Sequence, residues 1–117
     1  MDKTNPVLKE TVRKLRKKSK EEGADIWKDL SQRLMTAERK KNPVNLAKIN
    51  RHCEDGDTVV VPGKVTGYGN LEKNVTVAAF SFSKNARDEI NEVGNAITIE
   101  ELLQEKPEGS EVKVMEG

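Results

Sequence analysis

The four residues Glu54-Asp55-Gly56-Asp57 divide this chain into two stretches with different periodicities. A glycine flanked by carboxylates is turn chemistry. Before the turn, apolar residues recur every three or four positions, the repeat of a helix with one buried side. After it, Thr58-Val59-Val60-Val61 and Val75-Thr76-Val77-Ala78-Ala79-Phe80 are short runs rich in β-branched and apolar residues, the pattern of buried strands.

Local signals refine that division. Asn5-Pro6 reads as a helix start, an Asn cap with proline at the first helical position. Leu8, Thr11, Val12 and Leu15 follow at helical spacing, and Gly23 is the expected stop. A second helix is expected over residues 25–36, with Ile26, Trp27, Leu30 and Leu34 inward and Trp27 as a core anchor. Residues 36–45 read as a loop, because Pro43 discourages a helix there. Asn45 caps a short third helix, with Leu46 and Ile49 inward and Lys48 and Arg51 outward. Beyond the turn the reading is strand, strand, helix, second short helix and last short strand. Ser83 caps the helix that Gly94-Asn95 ends. Thr98-Ile99-Glu100-Glu101 has the spacing of a capping box, and Val112 and Val114 mark the final strand.

Charge follows the same division. Of 117 residues, 35% are charged and 34% hydrophobic, so the expected core is small and the chain suits one domain over 1–117. Residues 1–53 carry 15 Lys and Arg against 7 Asp and Glu, a net of +8. Residues 54–117 carry 6 against 13, a net of −7. A basic helical region, 1–53, thus precedes an acidic strand and helix region, 54–117. Either the basic part faces a polyanion or it is simply a solvated basic helix. Lys9, Arg13, Arg16, Lys17 and Lys20 share one broad face of the first helix, widened by Lys14 and Lys18. Arg39-Lys40-Lys41, Lys48 and Arg51 extend the basic set. Aromatic residues are only 3% of the chain, which argues against a base-stacking reader of single strands and favours folded RNA met through phosphate and shape. An acidic C-terminal half that binds basic protein partners is the alternative function.

Catalytic and metal chemistry find little support. The one histidine, His52, adjoins the one cysteine, Cys53, and helical neighbours point about 100° apart. Two ligands also fall short of a zinc site. Asp55 and Asp57 begin like a calcium loop, but the remaining ligands and the closing glutamate are missing. We therefore expect no enzyme, no cofactor, no metal and no small-molecule substrate. A lone cysteine excludes an internal disulfide and fits a reducing cytoplasm. No apolar run approaches the roughly 20 residues of a membrane span, and the N-terminus lacks the apolar stretch of a signal peptide.

The segment Gly63-Lys64-Val65-Thr66-Gly67-Tyr68-Gly69 holds three glycines, which let backbone approach a phosphate closely. It is not a nucleotide P-loop, since Val65 follows Gly63-Lys64 and no glycine sits five residues earlier. It is not a dinucleotide fingerprint, since Glu72 stands where the third glycine belongs. A tight turn and a loop resting on a nucleic-acid backbone remain equally open. Lys64, Tyr68 and Lys73 suit the second. Within this segment Gly63 is the expected stability position, with Gly67 or Gly69 the expected contact.

Several stretches carry a resemblance: Val59-Val60-Val61-Pro62-Gly63-Lys64-Val65 and Val75-Thr76-Val77-Ala78-Ala79-Phe80, with Asn5-Pro6, Ile26-Trp27, Val44-Asn45-Leu46, Asp57 to Gly67 and Pro107-Glu108-Gly109-Ser110. Together they resemble the family of archaeal large-subunit ribosomal protein L-eighteen-e, which includes bacterial ribosomal protein L-fifteen. The resemblance implies an α/β fold of N-terminal helices followed by irregular strand-strand-helix turns. It implies a place in the cytoplasmic ribosome, bound to large-subunit ribosomal RNA and beside other large-subunit proteins, with no enzymatic activity. By motif position it marks Arg39, Lys40, Asn45, Lys48, Arg51 and Lys64 as RNA-contact candidates. The sequence departs from the family pattern after Leu34, where Thr36-Ala37-Glu38-Arg39 replaces a Lys-Pro-Arg-Arg-like stretch. His52-Cys53 is also atypical and reads as tolerated variation.

Overall fold

In a computed structural model, which describes residues 6–36 and 43–116, the chain is an α/β protein built on one parallel sheet. Two helices come first, α1 (Pro6–Glu22) and α2 (Asp25–Thr36). They are followed by β1 (Val44–Asn45), α3 (Leu46–His52), β2 (Thr58–Thr66) and β3 (Thr76–Phe82). Then come α4 (Lys84–Val93), β4 (Asn95–Thr98), α5 (Ile99–Glu105) and β5 (Val112–Val114). All four strand pairings are parallel. β2 is the centre. Thr58–Val60 pair with β5 and Val65–Thr66 with β1, so those two short strands share one side of β2. β3 lies on the other side and β4 beyond it.

The alternation of β2 decides what each face carries. Val59, Val61 and Val65 join Leu46, Ile49 and Cys53 from α3 and its end, together with Ala86 and Ile90 from α4. Val60 and Ala78 face the other way. They meet Val12 and Leu15 of α1, Trp27, Leu30 and Leu34 of α2, and Leu102 and Leu103 of α5. Helices therefore cover both faces, the arrangement parallel sheets require, and this explains why the strand reads Val-Val-Val without polar alternation. Each fully buried valine contributes about 1.5–3 kcal/mol by leaving water, so a chain lean in apolar residues can still hold two thin cores.

Capping chemistry sets the helix boundaries as the sequence predicts. The Asn45 side chain accepts from the Lys48 amide at 2.9 Å, and Ser83 Oγ accepts from the Ala86 amide at 3.1 Å. Thr98 and Glu101 form a reciprocal box at 3.0 and 2.8 Å. Trp27 is the expected anchor: it is fully buried, and its indole Nε1 donates to the Pro107 carbonyl at 2.7 Å. The expected Asn5 cap lies outside the described residues.

Three readings change. Val44–Asn45, placed in a loop, form a strand. Asn95–Thr98, read as a helix stop followed by a cap, form β4. Pro62–Thr66, read as a turn or loop, continue β2 beyond an irregularity between Val61 and Lys64. At such a bulge proline's missing N–H breaks no ladder bond.

Candidate nucleic-acid interface

The basic residues of α1 project from a helix fixed by its other side. Thr11, Val12 and Leu15 are buried, while Lys9, Arg13, Arg16, Lys17 and Lys20 are exposed. They do not all stand alike. Arg13 Nη2 pairs with Glu10 at 2.8 Å, and that guanidinium holds the Glu10 carboxyl below its ordinary pKa. Arg16 Nη2 meets Met35 Sδ of α2 at 3.4 Å. Among the described residues, Lys9, Lys17 and Lys20 have no ion-pair partner. Lys14 reaches Glu100 at the start of α5, 3.2 Å away.

The second group lies across the sheet. Asn45, Lys48 and Arg51 sit on or beside α3, whose inward residues pack on the opposite sheet face from α1. The sequence placed both sets in one basic region; the fold separates them. Arg51 is exposed, and Lys48 Nζ donates to the Glu116 backbone carbonyl. Lys64 is exposed between buried Gly63 and Val65. Tyr68 is 75% exposed, in the connection between β2 and β3. Lys73 differs from the rest. Its ammonium donates to the carbonyls of Asn50 at 2.7 Å and Cys53 at 2.8 Å, satisfying the C-terminal end of α3. Arg39, Lys40 and Lys41 lie outside the described residues.

The glycine-bearing stretch divides differently from expectation. Gly63 is buried within β2 and is not among the positive-φ glycines. Gly69 is, at φ 93°. A Cβ there would stand 2.6 Å from Ala47 Cβ and 2.8 Å from Ala47 N. Gly69 is thus the position that needs glycine to fold, because α3 presses against it.

The acidic turn has a structural explanation. Asp57 Oδ2 accepts from the Glu54 amide at 2.8 Å and from Lys113 Nζ at 2.8 Å, while Asp55 Oδ1 accepts from the Asn74 amide at 2.8 Å. The hydrogen bond from Lys113, then that from the Glu54 amide, lowers the Asp57 pKa; the same bond from Asp57 raises that of Lys113. Cys53 is buried, and burial pushes its thiol pKa up, while His52 beside it is exposed.

Lys84 and Arg87 were not singled out from sequence. Lys84 opens α4 with its side chain 90% exposed, and Arg87 lies over the Phe82 ring, 5.8 Å from its centroid. The Ser83 cap is the signal that places both near the start of that helix.

The family match of the sequence puts this α/β chain among the ribosomal proteins. Residues 2–117 match the family described as ribosomal protein 60S L18 and 50S L18e, and the chain belongs to that family. It is similar to proteins called large ribosomal subunit protein eL18 in several archaea. Identity is 49% over 113 residues with that of Methanococcus maripaludis, covering 96% of this chain and 94% of the relative. It is 48% with that of Methanothermobacter thermautotrophicus, covering 97% and 95%. It is 43% with that of Haloarcula marismortui, covering 98% and 99%. No helix of the described residues is long and apolar enough to cross a membrane.

Proposed function

We propose that this chain is a structural constituent of the large ribosomal subunit that binds and stabilises folded large-subunit ribosomal RNA, and that it does no catalysis. The observation that carries the reading is family membership over residues 2–117, with relatives named as large-subunit proteins. The surface supports it. Lys9, Lys17 and Lys20 project from a helix anchored elsewhere, so their charges are available to replace counterions along phosphates. Arg13, Arg16, Asn45, Lys48, Arg51, Lys64 and Tyr68 complete the proposed interface, with Arg39, Lys40 and Lys41 included on sequence alone. Lys73 is left out, because its ammonium is turned inward onto α3. The whole of 1–117 acts as one domain in this proposal, working within the cytoplasmic ribosome beside other large-subunit proteins.

The test is binding of purified chain to large-subunit ribosomal RNA fragments across a salt series. Each phosphate contact is expected to add about one unit to the slope of log K against log salt. Replacing Lys9, Lys17 and Lys20 by glutamate should weaken binding and flatten that slope while leaving the melting curve in place. Affinity that does not change between low and physiological salt would refute the proposal.

A further inference from the structure

Tyr68 is the one tyrosine of the chain and stands 75% exposed. The only other exposed large hydrophobic among the described residues is Met35, on a helix that covers the opposite sheet face from α3. An exposed ring on a loose loop would carry no meaning. This loop is clamped. The Tyr68 carbonyl accepts from the Ala47 amide at 3.2 Å, in the first turn of α3. On one side Gly67 packs so closely on the Asn85 side chain, in the first turn of α4, that a Cβ would collide with it. On the other side Gly69 takes its positive φ against Ala47. The backbone on both sides of the ring is therefore fixed while the ring itself stands in water.

The elements that clamp the loop carry lysines beside the clamping residues. Lys48 follows Ala47 along α3. Lys84 precedes Asn85 on α4, sharing its charge with Asp88 at 3.2 Å. Lys64 precedes Val65, whose carbonyl accepts from the Ser83 amide at 2.9 Å just before α4. The other neighbours are polar: Asn70 and Asn85 are both exposed. A protein partner that buried the ring would use further exposed apolar side chains, and the other exposed large hydrophobic among the described residues, Met35, lies on α2 across the sheet. An exposed aromatic ring on a clamped loop, held by elements that carry lysines, fits a nucleotide, the ring against the base and the lysines available to the phosphates of the same strand.

We propose that Tyr68 is a preorganised stacking platform for one unpaired base of the bound RNA. This rests on the ribosomal RNA reading above and sharpens it. The low aromatic content excludes a reader of many bases, yet it leaves room for one. Because the fold has already fixed the backbone beneath the ring, little ordering remains to oppose the contact. The RNA segment it meets is then a bulge, loop or strand end rather than continuous duplex, since paired bases keep their faces stacked on one another.

The experiment uses the full chain with large-subunit ribosomal RNA fragments, and a perfectly paired RNA duplex as comparison. Tyr68→Phe should bind the fragments as the parent does, and Tyr68→Leu about tenfold more weakly, within the roughly 5- to 150-fold range of base–aromatic stacking. The salt slope of Tyr68→Leu should equal the parent's, because no phosphate contact is removed. With a single tyrosine, 3-fluorotyrosine labels this position alone. Its fluorine resonance should move with the ribosomal fragments and stay in place with the duplex. Tyr68→Leu binding within twofold of the parent, or a fluorine resonance indifferent to the fragments, overturns the stacking role and leaves the phosphate-based reading standing. A parent chain that shows no salt-dependent binding overturns both.

Discussion

Replacing Trp27 by phenylalanine should loosen the attachment between the N-terminal helices and the last strand. The indole is fully buried, and its Nε1 donates at 2.7 Å to Pro107, 80 positions away. A Cβ added at Gly109, at φ 72°, would collide with Ile26 Cγ2 and lie 3.5 Å from the indole Cε2 and Cζ2, so the chain after Pro107 runs close to α2. Phenylalanine removes the donor and leaves the Pro107 carbonyl without it, a loss of about 1 kcal/mol for a half-buried acceptor. It also leaves a void of about 40 Å³, worth about 1 kcal/mol at roughly 24 cal/mol per Å³. The lost transfer of the missing atoms adds about 0.5–1 kcal/mol. The sum is about 2.5–3 kcal/mol. With about 0.25 kcal/mol/K of unfolding entropy for a chain this long, the melting temperature should fall by roughly 10 °C. Urea unfolding followed by far-ultraviolet circular dichroism measures the change without relying on the indole's own signal. A loss below about 0.5 kcal/mol, the range of exposed substitutions, would show that α2 does not depend on this contact.

Gly69→Ala should destabilise by more than about 1 kcal/mol, from strain at positive φ plus collision with α3, and by more than Gly67→Ala, whose obstacle is the side chain of Asn85; equal melting curves would refute the distinction. The Asp57–Lys113 pair sets a pH window. The Asp57 pKa is lowered by folding, so its contribution is present above the ordinary carboxylate value and lost as pH falls through the folded value. The Lys113 pKa is raised, so its contribution is present below the ordinary lysine value and lost as pH rises through the folded one. Asp57→Asn should therefore flatten the dependence of the urea midpoint on pH at both ends, and unchanged slopes would count against the pair. Finally, Ala96 and Thr98 amides on the outer strand β4 donate to Asn91 Oδ1 and Glu101 Oε1, each at 2.8 Å. Asn91→Ala should speed hydrogen exchange at the Ala96 amide on the order of tenfold, the worth of one hydrogen bond, and exchange as slow as before would refute its role in closing that edge.

What the sequence disclosed and what it withheld divide along the range of the interactions. Asn45, Ser83 and Thr98 were legible as caps because each acts on an amide three residues away. The runs ending at Val61 and Phe80 were legible as strands because burial had removed their polar residues. β1 and β4 were not legible. Two and four residues are too few to show a period, and both exist through pairing with β2 and β3 far along the chain. Pro62-Gly63 carried the composition of a break, yet the bulge absorbs both residues and lets β2 continue.

The candidate interface shows the same limit in another form. Helical spacing placed Lys9, Arg13, Arg16, Lys17 and Lys20 on one side of α1, and it could do so because the spacing is local. It could not reveal that α1 and α3 lie on opposite faces, since that follows from Val60 facing one way and Val59 and Val61 the other. Nor could it reveal that the Lys73 ammonium bonds the end of α3. The separation constrains the proposed RNA contact. One RNA that meets both basic sets must pass an edge of the sheet. The β4 edge is flanked in sequence by α4 and α5, whose exposed or half-buried residues include Asp88, Glu89, Glu92, Glu100, Glu101 and Glu105. The opposite edge holds Arg33 and Lys48, which come from different faces and both reach Glu116 beyond β5. In the proposed RNA contact, repulsion between phosphates and the carboxylates of the first edge would favour a path past the second.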